Sequence, residues 1–156
     1  MLQSGILLMM MAFSGKKEEP MHMQSFHLST QGANHIKKNK KCQDSSASYY
    51  DENCAIAIVC DGHGGDDYVR SAVGSALAAT VTKNNILSFI SNVDKDELKR
   101  HHSQLINTLQ ASIISDWSSE IYGHYKKNPF TEAEIFALSE RAKHKYLQEQ
   151  RIESAY

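Results

Sequence analysis

Two prolines, eight glycines, three cysteines and one tryptophan among 156 residues already exclude several protein classes. So little proline and glycine rules out a low-complexity linker. The cysteines, Cys42, Cys54 and Cys60, are odd in number and contain no CxxC pair. That is not the framework of a small secreted disulfide domain, and reduced thiols are the better reading. Long apolar runs are missing too. Ile6 to Phe13 is short, has no basic residue before it, and runs on to Lys16-Lys17-Glu18-Glu19, so it can neither span a bilayer nor serve as a good signal peptide. Seventeen Lys and Arg balance eighteen Asp and Glu, and a net charge of -1 gives no bulk attraction to nucleic acid or to an acidic membrane. What is present is ordinary for a globular chain, with 41% hydrophobic and 22% charged residues. The reading is a folded, soluble, cytoplasmic protein with one core, preceded by a disordered leader over residues 1–22; Met21 and Met23 offer alternative starts.

Periodicity then orders the chain. Ser25 to Gln31 alternates apolar and polar residues, the pattern of a half-buried strand that Gly32 ends. Ala33 to Asp44 reads as a loop, with four lysines in the five positions from Lys37 to Lys41. A polar stretch leads through Tyr49 and Tyr50 towards Ala55–Cys60 (AIAIVC), whose unbroken apolar run predicts a strand buried on both sides. Tyr68, Val69, Ala72, Val73, Ala76 and Leu77 recur at helical spacing and predict a helix from Asp66 to Thr82. A second helical face runs from Leu98 to Ile121, with Asp94 as N-cap and Gly123 as the stop. Thr131-Glu132-Ala133-Glu134 has the form of a capping box opening a third helix to about Ile152. Trp117, Tyr122, Tyr125 and Tyr146 are expected in helix packing, and His101 and His102 on the surface. So few strands cannot cover three long helices, so either the helices pack mainly on each other or sheet partners are missing.

The chemistry concentrates at Asp61-Gly62-His63-Gly64-Gly65. A carboxylate at the end of a buried strand is fixed by the sheet, and glycines let main-chain carbonyls approach a ligand. Asp61 and a carbonyl are the oxygen donors that Mg²⁺ or Mn²⁺ accepts, and the His63 imidazole can pass a proton to a leaving group. The bland alternative is an Asx turn with a solvated histidine. Asp44, after Gln43 and the lysine run, is a second carboxylate. A basic loop beside a metal-binding turn would attract a phosphate dianion, although such a run is also an ordinary solvated loop.

Together, Gly32-Ala33-Asn34-His35-Ile36-Lys37-Lys38 through Cys42-Gln43-Asp44, and AIAIVC followed by Asp61 to Gly65, resemble the metal-dependent protein phosphatases (the PPM family, type 2C), in wording closer to a bacterial branch. The resemblance covers about Ser25 to Ala79. It implies an α+β fold, the N-terminal part of an α-β-β-α sandwich phosphatase domain over residues 23–156, with long amphipathic helices after the first strands. It implies hydrolysis of phosphoserine and phosphothreonine in proteins with two Mn²⁺ or Mg²⁺ ions. Asp61 would bridge the metals, Gly62 would offer its carbonyl, Asp44 would hold water of the metal shell, and His63 would be the general acid.

The departures matter as well. Gln43 stands where the family has glutamate, removing one negative charge. No arginine matches the family's phosphate-binding one, and Lys37, Lys38 or Lys40 would have to substitute with a point charge in place of a bidentate fork. The family's later Gly-Thr-Thr strand, second Asp-Gly and closing Asp-Asn are missing, so half a metal site is expected. Two other readings compete. One is a non-catalytic pseudophosphatase or helix-mediated interaction fragment that self-associates through exposed apolar faces. The other is a zinc site from Cys42, Cys54, Cys60 and His35 or His63, whose spacing matches no compact finger.

Overall fold

The computed structural model describes residues 6–11, 24–37, 41–52 and 54–156. Their order is strand β1 (Ile6–Met11), short helix α1 (Ala33–Lys37), strands β2 (Ser45–Tyr50) and β3 (Ala55–Cys60), then helices α2 (Ser71–Asn92), α3 (Lys95–Lys127), α4 (Glu132–Ala137) and α5 (Glu140–Lys143). A π-helical turn, His144–Gln148, and a 3-10 turn, Ile152–Ala155, follow. The fold is α+β. Strand β1 lies inside the stretch expected to be a leader; the rest of residues 1–22 lies outside the described residues.

The three strands form an antiparallel sheet in the order β1-β3-β2. Ile6 faces Cys60 and Met11 faces Ala55 on one side of β3, while Ser45 faces Cys60 and Tyr50 faces Ala55 on the other. Both edges of β3 are therefore paired, which fixes the point where the chain leaves the sheet at Asp61. The β2–β3 turn is closed by Asp51, whose N–H donates to the Cys54 carbonyl at 3.0 Å and whose Oδ1 accepts from the Cys54 N–H at 2.8 Å.

The apolar run of β3 is buried on one face only, not on two. Ile56, Ile58 and Cys60 point into the core, whereas Ala57 and Val59 are exposed, Val59 at 53%. The physical reason is that helices cover a single side of the sheet among the described residues. Helix α2 lies against β2 and β3 and α3 lies against α2, giving layers of sheet, helix and helix. Because α2 is the middle layer it is small-residue rich where it is buried, at Ser71, Gly74, Ser75, Ala78 and Ala79. Ile56, Ile58, Ile86, Leu109 and Ile113 fill the space between the layers, each contributing about 1.5–3 kcal/mol by burial.

Four sequence expectations are corrected here. Ser25 to Gln31 is not a strand. It runs antiparallel beside β2 through side chains, with His27 Nδ1 3.3 Å from Ser48 Oγ and Ser29 Oγ 3.0 Å from Ser46 Oγ. Phe26 and Leu28, on the alternate positions, are exposed at 89% and 77%, because no layer covers them. The first long helix begins at Ser71, not Asp66, and continues to Asn92. Helix α3 starts where expected, with Asp94 Oδ1 accepting from the N–H groups of Asp96 and Glu97 at 2.9 and 3.1 Å, but it runs through Gly123 and stops before Asn128-Pro129. A lone glycine weakens a helix by about 1 kcal/mol and does not end it, whereas proline does. The Thr131–Glu134 capping box forms as expected, yet its helix lasts only to Ala137. Ser139 then caps a new helix, its Oγ accepting from the Ala142 N–H at 3.2 Å.

Residues 128–156 make a second core around Ile121, Phe130, Leu138, Tyr146, Ile152 and Tyr156. Arg70 joins it to the first. Its side chain is 7% exposed and all five guanidinium N–H groups have acceptors. Nε donates to Glu134 Oε1 at 2.8 Å and Nη2 to Glu134 Oε2 at 2.9 Å. The Asn128 carbonyl, the Pro129 carbonyl and the Tyr156 hydroxyl take the rest at 2.6, 2.9 and 2.8 Å. The guanidinium also lies 4.6 Å from the centre of the Phe130 ring.

The Arg70 ion pair, helped by hydrogen bonds from Thr131, holds the Glu134 carboxyl down to about 2. Its folded value lies below its unfolded one, so its contribution is full above about 4.5 and is lost as pH falls towards 2. Arg70→Ala should destabilise the protein by about 3–5 kcal/mol, since it strands a partly buried carboxylate and two carbonyls. Glu134→Gln should lower stability at neutral pH and flatten the pH dependence between about 4.5 and 2. Urea unfolding across that pH range checks both, and an unchanged acid limb in Glu134→Gln would reject the assignment.

Candidate active site at the Asp-Gly turn

Asp61 is the first residue past the paired end of β3 and its side chain is exposed. Among the described residues no hydrogen bond or ion pair occupies its carboxylate. The next peptide is pinned: the Gly62 N–H donates to Asp44 Oδ1 at 3.1 Å. A Cβ at Gly62 would overlap the Gln43 carbonyl oxygen and lie 2.7 Å from Ser71 Oγ, so glycine is required there by close approach and not by an unusual φ. The two motifs read from the sequence thus meet main chain to main chain.

His63 is half-buried, and its ring centre lies 4.5 Å from that of Tyr68, with the planes at 54°. Tyr68 belongs to the tight loop between Gly65 and Ser71, in which the Tyr68 N–H donates to the Gly65 carbonyl at 3.1 Å and the Ser71 N–H to the Tyr68 carbonyl at 3.2 Å. The second core grips that loop. Ser139 N–H and Oγ donate to the two Asp67 carboxylate oxygens at 2.9 and 2.8 Å, and the Tyr146 hydroxyl donates to the Asp67 carbonyl at 3.1 Å. Burial, reinforced by the charge of Asp67, pushes the Tyr146 phenol up to about 12, so it remains a donor throughout the physiological range.

Below the turn is a cleft of about 130 Å³ lined by Cys60, His63, Ser71, Ile114, Trp117 and Tyr156. Beside it is a more open one of about 220 Å³, reached by Lys41 and Gln43. Among the described residues, Ser71 Oγ and Gln43 Oε1 are buried without a hydrogen-bond partner. The three cysteines are free thiols, and burial pushes Cys60 up to about 11, which keeps it protonated at neutral pH.

The structure thus brings Asp44, Asp61, Gly62 and His63 to one turn. Lys37 is exposed at the end of α1, and Lys38 and Lys40 lie outside the described residues. Sequence reasoning missed Asp67, Tyr68 and Arg70, which hold the turn in place, and Ser139, whose capping signal is legible three residues before Ala142. The donors fit a hard divalent cation in kind, with a carboxylate left open at Asp61, a carbonyl at Gly62 and a second carboxylate at Asp44. No cluster of three or more metal-binding side chains forms among the described residues.

A family model described as protein phosphatase 2C matches residues 31–155. The chain belongs to the protein phosphatase 2C family. Neither the curated proteins nor the solved structures contain a match. Membership assigns a phosphatase-type hydrolase function, in a family that generally depends on Mn²⁺ or Mg²⁺. The matched span of this phosphatase 2C chain includes the lysine run, the Asp-Gly turn and all of the second core but Tyr156. No helix among the described residues is long and apolar enough to cross a membrane.

The turn predicts an unequal response at two neighbouring glycines. Gly62→Ala should lower stability by about 1–3 kcal/mol, because its Cβ meets backbone that cannot rotate away. Gly64→Ala, whose Cβ would meet only Gln43 Oε1 at an ordinary 3.6 Å, should stay within about 0.5 kcal/mol. Denaturant midpoints of the two variants check this, and equal losses would refute the close-approach argument.

Proposed function

We propose that this chain carries the Asp-Gly element of a phosphatase site that hydrolyses phosphoserine and phosphothreonine esters of proteins with two Mn²⁺ or Mg²⁺ ions. The observation that carries this reading is the open Asp61 carboxylate beside a Gly62 peptide pinned by Asp44. Asp61 and the Gly62 carbonyl would hold the cation, and Asp44 fixes the Asp61–Gly62 peptide between them through the Gly62 N–H. Bound there, a divalent ion supplies positive charge against the phosphoryl oxygens and lowers the pKa of water.

Hydrolysis joins a water oxygen to phosphorus and breaks the bond from phosphorus to the seryl or threonyl oxygen. That oxygen is a poor leaving group unless a proton reaches it, and His63, on the same turn, would deliver one. The Tyr68 ring packs against the imidazole. Cys60, which lines the cleft below the turn, is buried and protonated and so is no competing nucleophile.

Replacement of His63 by alanine tests the assignment. Turnover of a phosphoserine peptide with Mn²⁺ should fall by about a hundredfold or more, while an activated aryl phosphate, whose leaving group needs little protonation, should lose only a few-fold. Equal losses on both substrates would remove His63 as the proton donor. Tight Mn²⁺ binding with no turnover of either ester would instead favour the non-catalytic interaction reading, for which exposed Ile36 and Phe136 offer contact surface.

A further inference from the structure

His63 stands among glycines. Gly62, Gly64 and Gly65 give the turn no side chain of its own to pack on the imidazole, and His63 lines the 130 Å³ cleft, so there is free space beside it. Among the described residues no hydrogen bond or ion pair holds either ring nitrogen. A half-buried histidine in that setting exchanges between staggered rotamers unless something outside the turn stops it. The contact that does so is the Tyr68 ring, 4.5 Å from the imidazole centre to centre and inclined at 54°, at the close end of the range for aromatic pairs.

Tyr68 is held more firmly than the residue it touches. Its ring edge lies against Gly65, where a Cβ would stand 3.1 and 3.2 Å from the ring carbons Cδ2 and Cε2. The φ of Gly65 is not in the left-handed region, so it is the closeness of the ring, and not the backbone, that the missing side chain serves. The main chain of Tyr68 is fixed as well. Its N–H donates to the Gly65 carbonyl at 3.1 Å and its carbonyl accepts from the Ser71 N–H at 3.2 Å. Asp67 before it and Arg70 after it are tied to Ser139, Tyr146 and Glu134 of the second core. Among the described residues the Tyr68 hydroxyl has no hydrogen-bond partner, so what Tyr68 contributes is its ring.

We propose that Tyr68 is the positioning residue of His63: its ring carries the order of the second core across to the imidazole and confines it to one rotamer. The consequence for proton transfer rests on His63 being the proton donor; the confinement itself does not. A misplacement of about 1 Å at a reacting group costs about a hundredfold in rate, so a donor that wanders between rotamers is a poor one.

The test uses the whole chain and two readouts. Three-bond couplings between the Hα and Hβ protons of His63, measured by NMR, report whether χ1 occupies one staggered well or averages over several. They should report one well in the wild type and in Tyr68→Phe, and averaging in Tyr68→Leu, which keeps apolar bulk without the ring. Gly65→Ala, which displaces the ring without removing it, should move the couplings in the same direction by a smaller amount. Turnover with Mn²⁺ is the second readout. Tyr68→Leu should lower kcat on a phosphoserine peptide by about tenfold and on an activated aryl phosphate by at most about twofold, with KM unchanged, whereas Tyr68→Phe should match the wild type on both. A single His63 well kept in Tyr68→Leu, or in Gly65→Ala where Tyr68→Leu does not fold, would overturn the proposal. Equal losses of kcat on the two esters in Tyr68→Leu, in a protein whose His63→Ala losses are unequal, would overturn it too. Averaged couplings in a chain whose wild type turns over neither ester would uphold Tyr68 as the group that orders His63 and reject the phosphatase reading instead.

Discussion

The Arg70 guanidinium is the constraint on which the rest of this structure depends. A buried cation is tolerated only when its donors are satisfied, and here one side chain gathers a carboxylate, two carbonyls and a phenol from three separate points of residues 128–156. Its backbone adds one more tie to that segment, its N–H donating to the Ala155 carbonyl at 2.9 Å, while its carbonyl opens α2 by accepting from Val73 and Gly74 at 2.9 and 3.0 Å. The start of α2 is thus a knot between two cores, and the Asp-Gly loop is the short length of chain between that knot and the sheet.

That arrangement explains why the turn is defined although Asp61 is exposed. From one side β3 holds Cys60 through both neighbouring strands. From the other, Asp67 and Arg70 hold the loop through Ser139, Tyr146 and Glu134. Between the two anchors the chain has little slack, and Gly62 closes what remains by lying directly on the Gln43 carbonyl. An exposed carboxylate on such a segment is positioned by its backbone, since among the described residues it has no partner of its own.

How much of this was legible in the sequence depends on the range of the signal. The Asp94 cap, the Thr131–Glu134 capping box and the AIAIVC strand were readable because a few neighbouring residues decide them. The Asp-Gly turn was readable because its residue types serve one narrow chemistry. The start of α2 was misplaced because Tyr68 and Val69 fit a helical stripe, yet the loop they occupy is held by Asp67 and Arg70 through partners about sixty or more residues away. No local pattern encodes an arginine whose acceptors lie at Asn128, Pro129, Glu134 and Tyr156. Ser25 to Gln31 failed for the opposite reason: its alternation is real, but a strand also needs backbone partners, and β2 meets it only through serine hydroxyls.

Trp117 sits where the two cores touch, packed against both, with its indole N–H donating to the Gly74 carbonyl at 3.0 Å. It is also the only tryptophan in the chain. Its fluorescence therefore belongs to neither core but to the joint between them. An emission change on denaturation reports the parting of α2 from α3, and agreement between that signal and far-ultraviolet dichroism is the direct measure of whether the sheet layer and the C-terminal core come apart as one unit.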